Sequence, residues 1–299
     1  MANIKPWIKA FRLRTLPLSF SSILSASAMA MFTNNFNGAI LFFTLCTTLF
    51  LQILSNLAND YGDAKSGVDN ENRIGPERAI QSGEISLSAM KKALYLFAIL
   101  SFVFGTILLF IAFPLQYIVY ILGFLALGLL AIWAAIQYTA GKNAYGYKGL
   151  GDVFVFLFFG LVGVCGTYFL YAQQLPNLVL FTAIIIGLLS VAVLNLNNMR
   201  DRVNDAQFGK NTIAVRLGFK ASKMYHIILV YGALVLTLVF NHLYFDGPQL
   251  FLIPIVFWLI HLFTIIKVKN EKDFDPELKK VAISAFIFSL LLLVDILKN

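Results

Sequence analysis

The sequence predicts an all-helical membrane protein, a bundle of nine transmembrane helices around a central cavity. Three observations predict it. Of the 299 residues 59% are apolar and 13% charged, the mean hydropathy is +0.80, and long charge-free stretches alternate with short charged ones. A soluble domain carries about 25% charged residues, so a soluble globule, a disordered chain and a disulfide scaffold are all excluded. Cys46 and Cys165 lie inside apolar runs and read as packing residues.

The spans follow in order. Residues 15–59, 93–141 and 153–199 contain no charged side chain. One crossing takes about 20 helical residues, so each stretch holds two spans and a turn. The turns are Asn34-Asn35-Phe36-Asn37-Gly38, Phe113-Pro114-Leu115-Gln116 and Gln173-Gln174-Leu175-Pro176-Asn177, all rich in helix-ending residues. Residues 224–245 and 247–266 make a fourth hairpin around Asp246-Gly247-Pro248, and residues 281–297 make a ninth span.

Charge fixes the orientation. Of the 23 Lys and Arg residues, all but Lys298 lie in the N-terminal arm or after spans two, four, six and eight. Cytoplasmic loops hold the Lys/Arg excess. The N-terminus is therefore expected inside and the C-terminus outside the cell membrane. The net charge of +8 then reports topology, and no nucleic-acid partner is expected. The basic arm, followed by Ser/Ala-rich residues up to Ala26-Ser27-Ala28, also has the outline of a cleavable signal peptide. Its removal would leave an even number of spans and discard an arm that matches the other inside loops, so it reads as retained.

The carboxylates carry the chemistry. All 15 except Asp246 and Asp295 fall on the inside face, and two groups stand at inner ends of spans. Residues 59–69 end span two with Asn59, Asp60, Asp63 and Asp69; residues 197–205 end span six with Asn197, Asn198, Asp201 and Asp205. Ser55, Asn59 and Asp63 are spaced four apart, as are Gln52, Asn56 and Asp60, and Asn197, Asp201 and Asp205. Residues at i and i+4 share a helix face, and polar residues this deep in a span face a bundle interior. The recurrence suggests one domain over residues 1–299 with a weak repeat of spans one to four and five to eight.

Clustered carboxylates raise one another's pKa unless a cation neutralises them. Mg²⁺ takes oxygen ligands and is commonly held by one or two carboxylates plus substrate phosphates. Two acidic helix ends facing each other would hold Mg²⁺ with a diphosphate between them, and Lys65, Arg73, Arg78, Lys142, Lys148, Arg200 and Lys210 suit the same anion. One carboxylate-rich loop alone reads equally as a solvated cap; two at equivalent positions argue against that. A cation-coupled transporter is the rival from another class, although such sites tend to lie near the midplane on broken helices. His226, His242 and His261 show no pairing and read as structural or interfacial.

These residues resemble the UbiA superfamily of intramembrane prenyltransferases, and in particular its dihydroxynaphthoate branch. The resemblance rests on Arg12-Leu13-Arg14-Thr15-Leu16-Pro17-Leu18, on the acidic run through Gly75-Pro76-Glu77-Arg78 to Gly83, on Tyr145-Gly146-Tyr147-Lys148-Gly149, and on the second acidic run through Gly209-Lys210 to Gly218. The superfamily often has a further acid at the position of Gly67; here the next is Asp69, which either reaches a metal or caps the loop.

The resemblance implies transfer of a polyprenyl chain from its diphosphate to 1,4-dihydroxy-2-naphthoate, with loss of CO₂ and pyrophosphate. Mg²⁺ is expected on Asp60, Asp63, Asp201 and Asp205, with Asn59 and Asn197 or Asn198 beside it, and Lys142, Arg200 and Lys210 on the diphosphate. Tyr61 and Tyr147 are candidates for facing the allylic cation, and Arg14 for holding the acceptor carboxylate. A member of the superfamily that prenylates hydroxybenzoate, homogentisate or a glycerol phosphate lipid would share the metal residues and differ in the acceptor pocket.

Overall fold

The computed structural model describes residues 4–69, 74, 77–141 and 144–298. Among them there are helices and no strand, and nine segments are long and apolar enough to cross a bilayer. With no water to satisfy backbone groups inside lipid, helices meet that demand internally. A short arm helix, Lys5–Phe11, precedes α1 (Leu16–Phe32), α2 (Gly38–Ser66), α3 (Leu87–Ala112) and α4 (Ile118–Gln137). Then come α5 (Gly151–Ala172), α6 (Asn177–Arg200), α7 (Ile213–Tyr244), α8 (Pro254–Lys267) and α9 (Asp275–Lys298).

The turn residues do what their chemistry favours. Asn37 caps α2, its side-chain oxygen accepting from the backbone N–H of Ala39 at 2.9 Å. Ser86 accepts from Ala89 N–H to start α3 and Thr212 from Val215 N–H to start α7. Gly67, at φ 76°, ends α2, a left-handed turn that glycine adopts at no steric cost.

Packing is tightest around α1 and α6. Of the most apolar stretch of α6, 56% is buried, against 11% for α4. Helices in lipid associate through close contact and interhelical hydrogen bonds, and α1 is built for both. Its Ser25 bonds Ser289 of α9 at 2.9 Å, Ser27 bonds Tyr171 at 2.9 Å, and Ser22 donates to the Phe159 carbonyl at 2.7 Å. Gly160 meets Gly187 so closely that a Cβ on Gly160 would lie 2.9 Å from the Gly187 Cα. The middle of α5, Phe156–Gly166, winds as a π-helix.

Two expectations need correction. The second acidic run is not one continuous helix. α6 stops at Arg200, Asp201 leaves helical geometry at φ −93° and ψ 5°, and a short helix, Arg202–Gln207, carries Asp205. The Asp205 N–H still donates to the Asp201 carbonyl at 2.8 Å, so the step of four survives the bend. Nor are the histidines all unpaired. His226 Nε2 lies 2.7 Å from His261 Nε2, His261 Nδ1 lies 2.5 Å from Glu277, and Lys280 donates to the same carboxylate at 2.5 Å. The partners sit on three helices, and no sequence period connects them.

Candidate active site

The end of α2 gathers its carboxylates on one guanidinium. Asp60 and Asp63 are 1% and 2% exposed. Arg78, itself buried, places Nη1 3.0 Å from Asp60, Nη2 3.1 Å from Asp63 and Nε 3.1 Å from Asp69. Arg12, held in a left-handed turn (φ 49°) between the arm helix and α1, also pairs with Asp60. Burial disfavours the Arg78 charge, but Asp63, Asp60 and Asp69 outweigh it and hold its pKa above the ordinary arginine value.

A glycine sets this corner. A Cβ on Gly62 would lie 2.4 Å from the Thr139 carbonyl carbon, so only glycine lets the end of α2 press against the segment after α4. That contact lets the Thr139 hydroxyl donate to the Ala58 carbonyl at 3.0 Å and to Asn59 Oδ1 at 3.1 Å.

Lys210 joins the two acidic groups. Its ammonium lies 3.8 Å from Asp63 and 3.7 Å from Asp205, and over the Tyr147 ring at 5.6 Å. Burial opposes its charge; Asp63 and Asp205 overcome this and raise its pKa. Tyr147 donates to Asp63 at 2.7 Å and shares a 2.7 Å hydrogen bond with Ser66. Burial, then Asp63, pushes its phenol above the ordinary value, so it stays a donor. Asn204 donates to the Val68 carbonyl at 3.0 Å, and the Asn211 N–H to the Tyr147 carbonyl at 3.0 Å. The first bond fastens the second run against the first, and the other ties it to the segment between α4 and α5.

Arg200 is fully engaged. Nε and Nη2 grip Asp201 at 3.0 and 2.7 Å, Nη1 reaches Asp275 at 2.5 Å, and Nη2 reaches Asn197 at 2.8 Å. Asn198 is buried. Tyr61 packs on the apolar cluster that contains Ile53, Leu57 and Ile85. Arg14 is exposed. Lys142 and Arg73 lie outside the described residues. Arg12 and Arg78 are the residues that sequence reasoning undervalued. Both lie in the quoted motifs, but nothing in the spacing says that they turn back onto α2.

The donor set suits a hard cation. Asp60, Asp63, Asp201 and Asp205 are all buried and offer only oxygen. Among the described residues no three His, Cys, Asp or Glu side chains form a ready-made metal cage. A cation here would share its sphere with an anion or water, as Mg²⁺ commonly does.

An apolar cavity of about 370 Å³ is lined by Asn59, the residue before Asp60. Gln52, Asn59 and Tyr138 are among its polar lining residues; Phe158, Val162 and Gly166 of α5 line its length. A second hollow shares Phe124, Leu127 and Gly166 with it and includes Tyr120 and Cys165, between α4 and α5 at the end away from the acids. Gly123 and Gly128 on α4 have open space where a Cβ would stand.

Comparison with known proteins adds to this geometry. The profile of the UbiA prenyltransferase family matches residues 19–290. The chain is 47% identical over 240 residues to a Haemophilus influenzae protein named 1,4-dihydroxy-2-naphthoate octaprenyltransferase, covering 80% of this chain and 77% of that one. An Escherichia coli protein of the same name is 43% identical over 81% of this chain and 78% of its own. A solved UbiA homologue from Archaeoglobus fulgidus, bound to GPP and Mg²⁺, superposes with a TM-score of 0.63 at 14% identity, over 97% of this chain and 100% of that one. That likeness is one of fold.

Proposed function

The chain belongs to the UbiA prenyltransferase family, and we propose that it transfers a polyprenyl group from polyprenyl diphosphate to 1,4-dihydroxy-2-naphthoate, releasing pyrophosphate and CO₂ and giving demethylmenaquinol. The observation that carries the reading is the buried carboxylate–cation cluster at the end of α2, whose neighbouring Asn59 lines an apolar cavity. The relatives named for naphthoate and an octaprenyl chain favour that acceptor and a long donor.

The donor's allylic C–O bond breaks with its electron pair leaving on the diphosphate. The naphthoate carbon that bears the carboxylate forms the new bond to the allylic carbon. The carbon–carboxylate bond then breaks, CO₂ departs, and its electrons restore the aromatic ring. Asp60, Asp63, Asp201 and Asp205, with Asn59 and Asp69 beside them, would hold Mg²⁺, which when bound neutralises charge on the leaving diphosphate. Lys210 and Arg78 supply buried positive charge for the same anion. Tyr147, hydrogen-bonded to Asp63, keeps its proton and presents its ring near that charge. The apolar walls keep water from the allylic cation. A cavity of about 370 Å³ is at the small end of pockets that hold drug-sized ligands, so an octaprenyl tail continues into lipid. The reading places the protein in the cell membrane with its acidic corner and N-terminus on the cytoplasmic side.

The test is transfer by purified protein in nanodiscs, given octaprenyl diphosphate, Mg²⁺ and carboxyl-labelled dihydroxynaphthoate. Release of labelled CO₂ in step with prenylated product is expected. Transfer only to hydroxybenzoate or homogentisate, or no transfer at all, overturns the reading.

A further inference from the structure

The loop between α8 and α9 carries Glu271 and Asp273, and the first turn of α9 carries Asp275 and Glu277; the chemistry above uses none of them. Three of these acids are nonetheless tied to basic groups or histidines of other helices. Asp275 takes Nη1 of Arg200 at 2.5 Å. Glu271 takes Arg202 at 2.7 Å. Glu277, 2% exposed, is fixed by His261, and through it by His226, and by Lys280. Arg200 and Arg202 flank Asp201, at the point where α6 breaks.

We propose that the first turn of α9 and the loop before it form a positioning bracket for Asp201, with Asp275 its key residue. Asp201 stands at the break between α6 and the short helix that follows. Its carboxylate is held by the two-point grip of Arg200, and that guanidinium is oriented by Asp275 and Asn197 from its other edge. A guanidinium holds planar, bidentate geometry that a single ammonium does not. Asp275 sits two residues before Glu277, whose buried histidine pair ties the start of α9 to α7 and α8. Arg200 thereby becomes a positioning residue for Asp201, in place of the diphosphate contact expected from the sequence.

The inference rests on the metal-dependent reading above, and its test separates the two. The full chain in nanodiscs is titrated with Mn²⁺ in the presence of inorganic pyrophosphate, with bound Mn²⁺ followed by electron paramagnetic resonance and the unfolding midpoint measured in parallel without metal. Asp275→Asn is expected to weaken Mn²⁺ uptake at least fivefold with its midpoint within a few degrees of wild type, and Asp275→Glu to restore uptake to within twofold. Should Asp275→Asn unfold, a second pair carries the test: Glu271→Arg weakens uptake and Glu271→Arg with Arg202→Glu recovers it. Wild-type Mn²⁺ affinity in Asp275→Asn, or no recovery in the reversed pair, overturns the bracket alone. A wild-type protein that takes up no Mn²⁺ with pyrophosphate overturns the metal reading itself.

Discussion

At the scale of single residues, Arg78 organises the site. One guanidinium serves Asp60, Asp63 and Asp69; without it Asp60 keeps Arg12 and Asp63 keeps Lys210, but the three lose the cation they share. Removing one partner of a buried ion pair costs about 3–5 kcal/mol because the other charge stays buried. Arg78→Gln is expected to lower the unfolding midpoint in the absence of metal, and Mg²⁺ alone to raise it more in the variant than in wild type, since it neutralises the same carboxylates. A thermal-shift titration reads this directly; equal Mg²⁺ shifts in the two proteins would mean that Arg78 is not the resident counter-charge. The four aspartates of this corner were legible in the sequence from their spacing and their place at span ends. The partners were not, because Arg12 and Arg78 approach α2 from neighbouring segments whose path only packing sets.

At the scale of elements, the end of α2 depends on how closely it meets the chain after α4. Gly62 has no room for a methyl group: the clash would be with backbone, at 2.4 Å, and backbone gives way only by moving the whole segment. Overpacking of this kind costs about 1–3 kcal/mol. Gly62→Ala is expected to lose at least tenfold in kcat, through displacement of Thr139 from Asn59. Gly123→Ala, facing open space, should behave as wild type, and similar kcat values for the two variants would dismiss the close approach as functionally irrelevant. The glycine was visible inside the first acidic motif, yet its purpose was not, since a close approach leaves no mark on periodicity. The second motif teaches the same lesson. A four-residue step predicts a shared face, and the face exists, but the chain reaches it through a break at Asp201 that no propensity announces.

At the scale of the molecule, α4 and the π-wound α5 border two adjoining hollows that share Phe124, Leu127 and Gly166, the larger of them lined by Asn59 beside the acids. π-helical turns are frequent at functional sites; here the wall residues Phe158, Val162 and Gly166 recur every four positions along the cavity. Gly128→Trp would fill that cavity. Its ratio of kcat/KM for octaprenyl diphosphate to kcat/KM for geranyl diphosphate is expected to fall about tenfold, measured with dihydroxynaphthoate as acceptor. An unchanged ratio would route the tail elsewhere.

By itself the sequence determined the number of spans, the turns between them, and the two acidic groups at one end of the bundle. Those are one-dimensional consequences of hydrophobic run length and of charge excluded from lipid. Tertiary structure alone decided which cations meet those acids, that two histidines and Glu277 lock three helices together, and where the cavity runs. These depend on contacts between residues far apart in the chain, and their register is fixed by side-chain volume and hydrogen bonding across helix interfaces.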